Sequence, residues 1–181
     1  MESMLSKMKK LKFLNKRLCG IWLIWIGFII FLGTLLGGKY LINPFIFSVG
    51  YALGYFSIFC TPLFRKHFSY GKHSKFQAKT SKLSVILLFV LMCLFSGRYF
   101  GVNNYRLIWL GALLATAIHF IPFSLVHGKL LLIMSIPLIL TSLLGILDSN
   151  ISFCYLAFID AVIKILFGII LFISKKPTGT V

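Results

Sequence analysis

Six long apolar runs divide this 181-residue chain, at 18–36, 44–64, 83–100, 107–126, 130–147 and 151–173. A bilayer-crossing helix needs about 20 mostly apolar residues, within a range of about 17–25. Five runs reach that length directly. The third is apolar over 83–95 and reaches full depth with its 96–100 flank. Backbone groups in hydrocarbon must be satisfied within the segment, so each run predicts a helix. A barrel would show alternating segments of about ten residues, and none occurs. The chain therefore reads as an all-α polytopic transmembrane bundle with six spans. A basic leader covers 1–17, the membrane domain 18–173 and a short tail 174–181. The first run resembles a signal peptide in its basic leader, but its core exceeds an h-region of about 7–15 residues and Gly37-Gly38 is a poor cleavage site. It reads as a retained span.

Charge sets the orientation. Lys7, Lys9, Lys10, Lys12, Lys16 and Arg17 precede the first span, and Arg65, Lys66, Lys72, Lys75, Lys79 and Lys82 fill the second connection. Lys129, Lys175 and Lys176 fall on the same side, while the other side holds Lys39, Arg98 and Arg106. The positive-inside rule places both termini in the cytoplasm of a cell membrane, most simply a bacterial plasma membrane. The net charge of +16 thus has a topological origin. A nucleic-acid module needs a soluble body with a basic face, and little chain remains once the spans are removed. The leader places Met4, Met8, Leu11 and Leu18 near one face, a pattern suited to anionic inner-leaflet lipids; a topogenic tail is the plainer reading. The six cations of the second connection read either as charge retained inside or as a contact for lipid or a protein partner.

Polar residues inside the spans are few. Asp160 and Lys164 are spaced by one helical turn in the sixth span, on one face. His119 lies in the fourth span, about 18 Å from its outer end, against about 14 Å for Asp160 and 20 Å for Lys164, at 1.5 Å per residue. Ala112, Ala115 and Thr116 flank His119, and Ala157, Ala161 and Gly168 flank the pair, so both faces read as packed inward. Pro122 frees a carbonyl near Ile118, and Pro137 does the same in the fifth span, with Thr141 and Ser142 one turn on. Intramembrane charges are costly and mark pathways and sites. Two readings stand for Asp160 and Lys164. In one they form an ion pair that fixes helix packing. In the other Asp160 and His119 bind a substrate or move a proton, with Lys164 setting their charge.

A faint repeat joins Gly38-Lys39-Tyr40 to Gly97-Arg98-Tyr99, then Asn43 to Asn103, Pro62 to Pro122 and His67 to His127. It predicts two parallel hairpins, whose outer turns suit Gly and Asn and whose Tyr and cation anchor at headgroups. An outer anion-binding rim of Lys39, Arg98 and Arg106 is the functional alternative. Cys19, Cys60, Cys93 and Cys154 show no metal or redox spacing and read as small core residues. With acids only at Glu2, Asp148 and Asp160, carboxylate-pair catalysis has no basis, and no catalytic or nucleotide-binding motif occurs. Asp148 suits the turn it shares with Ser149 and Asn150. No enzyme and no cofactor is expected.

The six-span plan and the His119-Phe120-Ile121-Pro122-Phe123 segment resemble small uncharacterised membrane proteins of Gram-positive bacteria. Length and span count are also similar to the substrate-binding S component of energy-coupling-factor vitamin transporters. That family's Ala-x-x-x-Ala pattern is replaced here by Gly27 and Gly33 in the first span. The resemblances imply architecture and transfer no functional residue. The expected function is a small-solute transporter or transporter subunit with a polar intramembrane site. The alternative is a scaffold, sensor or protective protein acting through partner binding at its basic loop.

Overall fold

The computed structural model describes residues 12–174. The leader positions Met4, Met8, Leu11, Lys7, Lys9 and Lys10, and the tail lysines Lys175 and Lys176, lie outside the described residues, so the amphipathic-leader reading does too. Seven α-helices carry the described chain: α1 (Lys16–Leu35), α2 (Pro44–Tyr55), α3 (Pro62–Phe68), α4 (Lys75–Phe95), α5 (Tyr105–His127), α6 (Lys129–Leu147) and α7 (Phe153–Phe172). There is no strand among the described residues. Five helices, α1, α4, α5, α6 and α7, are long and apolar enough to cross a membrane.

Two of the expected spans change shape. The 44–64 run is not one straight helix. α2 passes into a π-helical turn at Phe56–Cys60, Thr61 is extended, and α3 departs at 61°. Pro62 explains the break, because it lacks an N–H and disfavours helical geometry at the residue before it. In the third span, which runs on to Tyr99, α4 also gains length at its start. Ser74 accepts from the Gln77 N–H and the Gln77 side chain accepts from the Ser74 N–H, a capping box that starts the helix ahead of the apolar run. Gly97–Tyr99 forms a separate 3₁₀ turn.

The helices alternate in direction. One end, here the basic end, collects the start of α1, α3, the 69–74 loop and the α5–α6 turn at Gly128. The far end holds the other turns. The repeated Gly38–Tyr40 and Gly97–Tyr99 segments both form 3₁₀ turns there. Asn43 caps α2 by accepting from the Phe45 and Ile46 N–H groups. Asn104, rather than Asn103, caps α5, while Asn103 takes a left-handed φ of 52°. The repeat stops at the turns. α1 and α5 are interior helices, whereas α2 and α4 lie outside, so the hairpins do not pack alike.

The core is formed by α1, α5, α6 and α7. Ile26 and Ile30 of α1 meet Leu110 and Leu113 of α5 and Phe153, Leu156 and Ala157 of α7. Nearer the basic end, Cys19 and Leu23 join Phe120, Met134, Leu138 and Leu171. Cys60, Cys93 and Cys154 are exposed, so only Cys19 is the core residue expected of all four. Helices in lipid associate through close van der Waals packing, which small residues permit. A Cβ on Gly20 would sit 2.5 Å from the Gly168 carbonyl oxygen, and one on Gly27 would sit 2.7 Å from that of Ala161. The antiparallel α1 and α7 therefore touch backbone to backbone at two levels. α2 clings to α1 through Trp22–Tyr51 edge contact at 5.0 Å and a Trp25 Nε1–H bond to the Gly50 carbonyl. α4 lies on α5, where the Ser96 hydroxyl donates to the Ile108 carbonyl.

Candidate functional site

Ala161 and Gly168 bring α7 against α1, which turns an adjacent stripe of α7 into the bundle. Leu156, Asp160 and Lys164 follow one another at one-turn spacing on that stripe. Leu156, together with Leu110 of α5, crowds Gly145 of α6, so the stripe faces the α5–α6 seam. Asp160 and Lys164 are each only 1% exposed. Lys164 Nζ donates to Asp160 Oδ2, the only salt bridge among the described residues. The other carboxylate oxygen, Oδ1, is buried with no hydrogen-bond partner.

The neighbouring polar groups are served by their own helices. Ser135 donates to the Leu132 carbonyl at 2.7 Å and Ser142 to that of Leu138 at 2.9 Å. Thr116 donates to Ala112 and Thr141 to Pro137, both at 2.7 Å. Thr141 and Ser142 thus bond the carbonyls of Pro137 and Leu138 rather than the one that Pro137 leaves free. Pro122 lies within α5, whose helix runs unbroken to His127. None of these hydroxyls reaches Asp160 Oδ1.

His119 is 7% exposed. Its Nδ1 lies 2.6 Å from the Thr116 carbonyl. A carbonyl only accepts, so Nδ1 carries a proton. Counted from the basic ends of their helices, His119 and Lys164 both lie about 12 Å deep and Asp160 about 18 Å. His119 is therefore level with Lys164 rather than between the two charges. No hydrogen bond joins His119 to the pair. The structure brings Asp160 and Lys164 together and sets His119 on another helix at the depth of Lys164.

At the basic end the six loop cations separate into two groups. Arg65, Lys66 and Lys72 line an open concavity of about 510 Å³ with Pro62, Ser69, Tyr70 and Gly71. Lys75, Lys79 and Lys82 belong to α4 and take no part in it. Sequence reading missed the polar knot behind this concavity. Asn15 donates to the Gly71 carbonyl at 3.2 Å and lies 3.1 Å from His73 Nε2, while the Ser69 hydroxyl donates to Asn15 Oδ1. Gln77, only 2% exposed, donates to the Lys12 carbonyl. His73 meets His127 edge-on at 5.7 Å. Burial, and secondarily the positive charge of Arg65, push the His73 pKa below its ordinary value. Arg17 also lay hidden among the leader cations. It donates to the Phe172 carbonyl and the Tyr70 hydroxyl and stacks on Phe68, Tyr70 and Phe172. The only advance signal was the cluster of turn formers Ser69, Gly71 and Ser74.

At the far end, the three cations have structural contacts. Lys39 sits over Tyr40 at 5.0 Å and Arg98 over Tyr99 at 4.7 Å. Arg106 donates to the Gly145 and Asp148 carbonyls, closing the end of α6. Asp148 accepts from the Asn150 N–H, the turn role expected of it. Among the described residues, no three His, Cys, Asp or Glu side chains converge.

No curated protein and no solved structure matches this chain. Residues 6–181 match the Family of unknown function (DUF6609), and the chain belongs to that family.

Proposed function

We propose that this family member is a multi-pass protein of the bacterial plasma membrane that acts as a small-solute transporter or transporter subunit. Its polar site comprises Asp160, Lys164 and His119. In this reading α2 and α3 make one broken crossing, giving six. The basic end faces the cytoplasm, supported by Arg17, Arg65, Lys66, Lys72 and Lys129 there against Lys39, Arg98 and Arg106 opposite. The observation that carries the reading is the unpartnered Oδ1 of a wholly buried carboxylate. An unmet buried acceptor costs about 1–3 kcal/mol, more when charged. Helix packing alone gains nothing from that. A site that accepts a proton, a cation or a solute N–H when the α5–α6–α7 seam opens gains an acceptor already in place. In the present conformation the site is closed, as the 1% exposure of both charges requires.

The test is a thermal-unfolding screen of the purified protein against amino acids, sugars, nucleosides, vitamins and inorganic cations. At least one compound is expected to stabilise wild type and to lose its effect in D160N and H119A, both of which still insert and fold. Equal stabilisation of wild type and both variants by every active compound refutes the site.

The second reading is a scaffold or sensor acting through partner binding at the basic end, and the concavity of Arg65, Lys66 and Lys72 favours it. Neutralising those three residues then removes a co-purifying protein. An unchanged set of partners counts against it.

A further inference from the structure

The break at Thr61 does more than end a span: it turns α3 through 61° and gives that short helix two unlike sides. One side opens on the basic concavity of about 510 Å³, where Arg65 and Lys66 of α3 meet Lys72, with Ser69 and Tyr70 between them. That size lies in the range of small-molecule sites, about 300–1,000 Å³. The other side opens on a second hollow of about 270 Å³, walled by Leu63, Phe64 and Phe68 with His67. The His67 Nδ1 is directed to the Leu63 carbonyl at 2.9 Å, so its polar edge is occupied by the backbone. Two cations and an apolar slot thus share one seven-residue helix at the basic end of the bundle, with Lys72 of the following loop as the third cation.

Arg17 holds the two sides in register. It is sandwiched by Phe68, a wall of the apolar hollow, and Tyr70, a wall of the basic one, while its Nε–H bonds the carbonyl of Phe172 at the end of α7. The loop is pinned from behind as well, since the Tyr70 N–H donates to the Leu14 carbonyl at 2.9 Å. Among the described residues no carboxylate pairs with Arg65, Lys66 or Lys72.

We propose that α3 is the binding site of an anionic glycerophospholipid, with its phosphate on Arg65, Lys66 and Lys72 and an acyl chain along Leu63, Phe64 and Phe68. A lipid is the occupant because it alone combines the two chemistries that α3 presents, and the basic end is where headgroups lie if the long helices cross a membrane. Cations at a membrane surface each add about fivefold in affinity for anionic lipid. The site does not depend on transport through Asp160.

Lipid retention by the detergent-purified protein, read by native mass spectrometry with added phosphatidylglycerol or phosphatidylcholine, tests this. Wild type is expected to retain phosphatidylglycerol preferentially, and R65Q/K66Q/K72Q to bind it about 100-fold more weakly. K75Q/K79Q/K82Q removes equal charge from α4 and is expected to retain the lipid, as is the charge-preserving R65K/K66R/K72R. F64S is expected to weaken phosphatidylglycerol and to leave glycerol 3-phosphate unaffected. Equal retention of the two lipids, or equal loss in both neutralised triples, overturns the proposal. Glycerol 3-phosphate or inorganic phosphate displacing the lipid, with F64S silent, also overturns it in favour of a soluble anion. Should R65Q/K66Q/K72Q fail to fold, the lipid preference of wild type and the F64S result decide.

Discussion

Replacing Lys164 by methionine should be among the most damaging single changes in the bundle, and removing Asp160 as well should undo the damage. Lys164 supplies the only hydrogen bond to the Asp160 carboxylate, since Oδ1 has none. Both groups are 1% exposed, so water cannot replace the lost partner in this conformation. A buried pair broken on one side costs about 3–5 kcal/mol, or about 6–20 °C in melting temperature for a chain of this size. D160L/K164M removes both charges, and replacing a buried pair by apolar residues is neutral or stabilising by about 1–4 kcal/mol. The double variant should therefore melt at or above wild type. A double-mutant cycle with K164M, D160L and D160L/K164M, read by thermal unfolding in detergent, should give a coupling larger than about 3 kcal/mol. Single variants within about 1 kcal/mol of wild type, or additive losses in the double, refute the argument from burial. The double variant also separates structure from function. If it folds and keeps the ligand response of wild type, the pair is structural and the transporter reading fails.

Three further outcomes follow from the geometry. G20A should destabilise by about 1–3 kcal/mol, because its Cβ meets backbone atoms of Gly168 and Phe172 at 2.5–2.6 Å, whereas G97A, with nothing within 4 Å, should be silent in the same unfolding assay. Q77A removes a capping box and the bond to the Lys12 carbonyl, and should cost about 1–3 kcal/mol in a denaturation series. His73 protonates less readily in the folded protein than its ordinary value of 6.5. The unfolded chain therefore binds the proton first on acidification, so the stability owed to a neutral His73 is intact above pH 6.5 and is lost as pH falls through the lower folded value. Melting curves from pH 8 to pH 5 should show a shallower acid loss in H73Q than in wild type.

The apolar runs made the helices legible, because a span must satisfy its own backbone whatever surrounds it. Pro62 was visible inside the 44–64 run, yet run length alone treated it as tolerable, and the break follows from its missing N–H. The start of α4 was also readable, in Ser74 and Gln77 at capping-box spacing, but the lysines that follow masked it as loop. What apolarity does not encode is which helix lies inside. α1 and α4 are both long and apolar enough to cross a membrane, and the glycines of α1 let it press on α7. Asp160 and Lys164 met as their spacing required. His119 did not join them, because the Thr116 carbonyl one turn back satisfies its Nδ1 first. The Asn15–Ser69–His73 knot spans more than fifty residues of sequence and has no local signature.

The polar groups of the bundle interior obey one rule with one exception. Thr116, His119, Ser135, Thr141 and Ser142 each return a hydrogen bond to a carbonyl of their own helix. Such bonds need no neighbour, so they hold whether or not the helices shift against one another. The Asp160–Lys164 bond is likewise internal to α7. Apart from the Arg106 bonds to the Gly145 and Asp148 carbonyls at the far end, the α5–α6–α7 seam can therefore part without breaking a polar contact across it. The α1–α7 seam is held otherwise, by backbone contact at Gly20, Gly27, Ala161 and Gly168 and by the Arg17 bond to Phe172. Movement is then expected at the α5–α6–α7 seam, with α1 and α7 travelling as one body, and that is the seam onto which the unpartnered Asp160 Oδ1 would open. Natural sequences depart from local consistency where function requires it, and here an unmet carboxylate oxygen lies beside a seam with few polar ties across it.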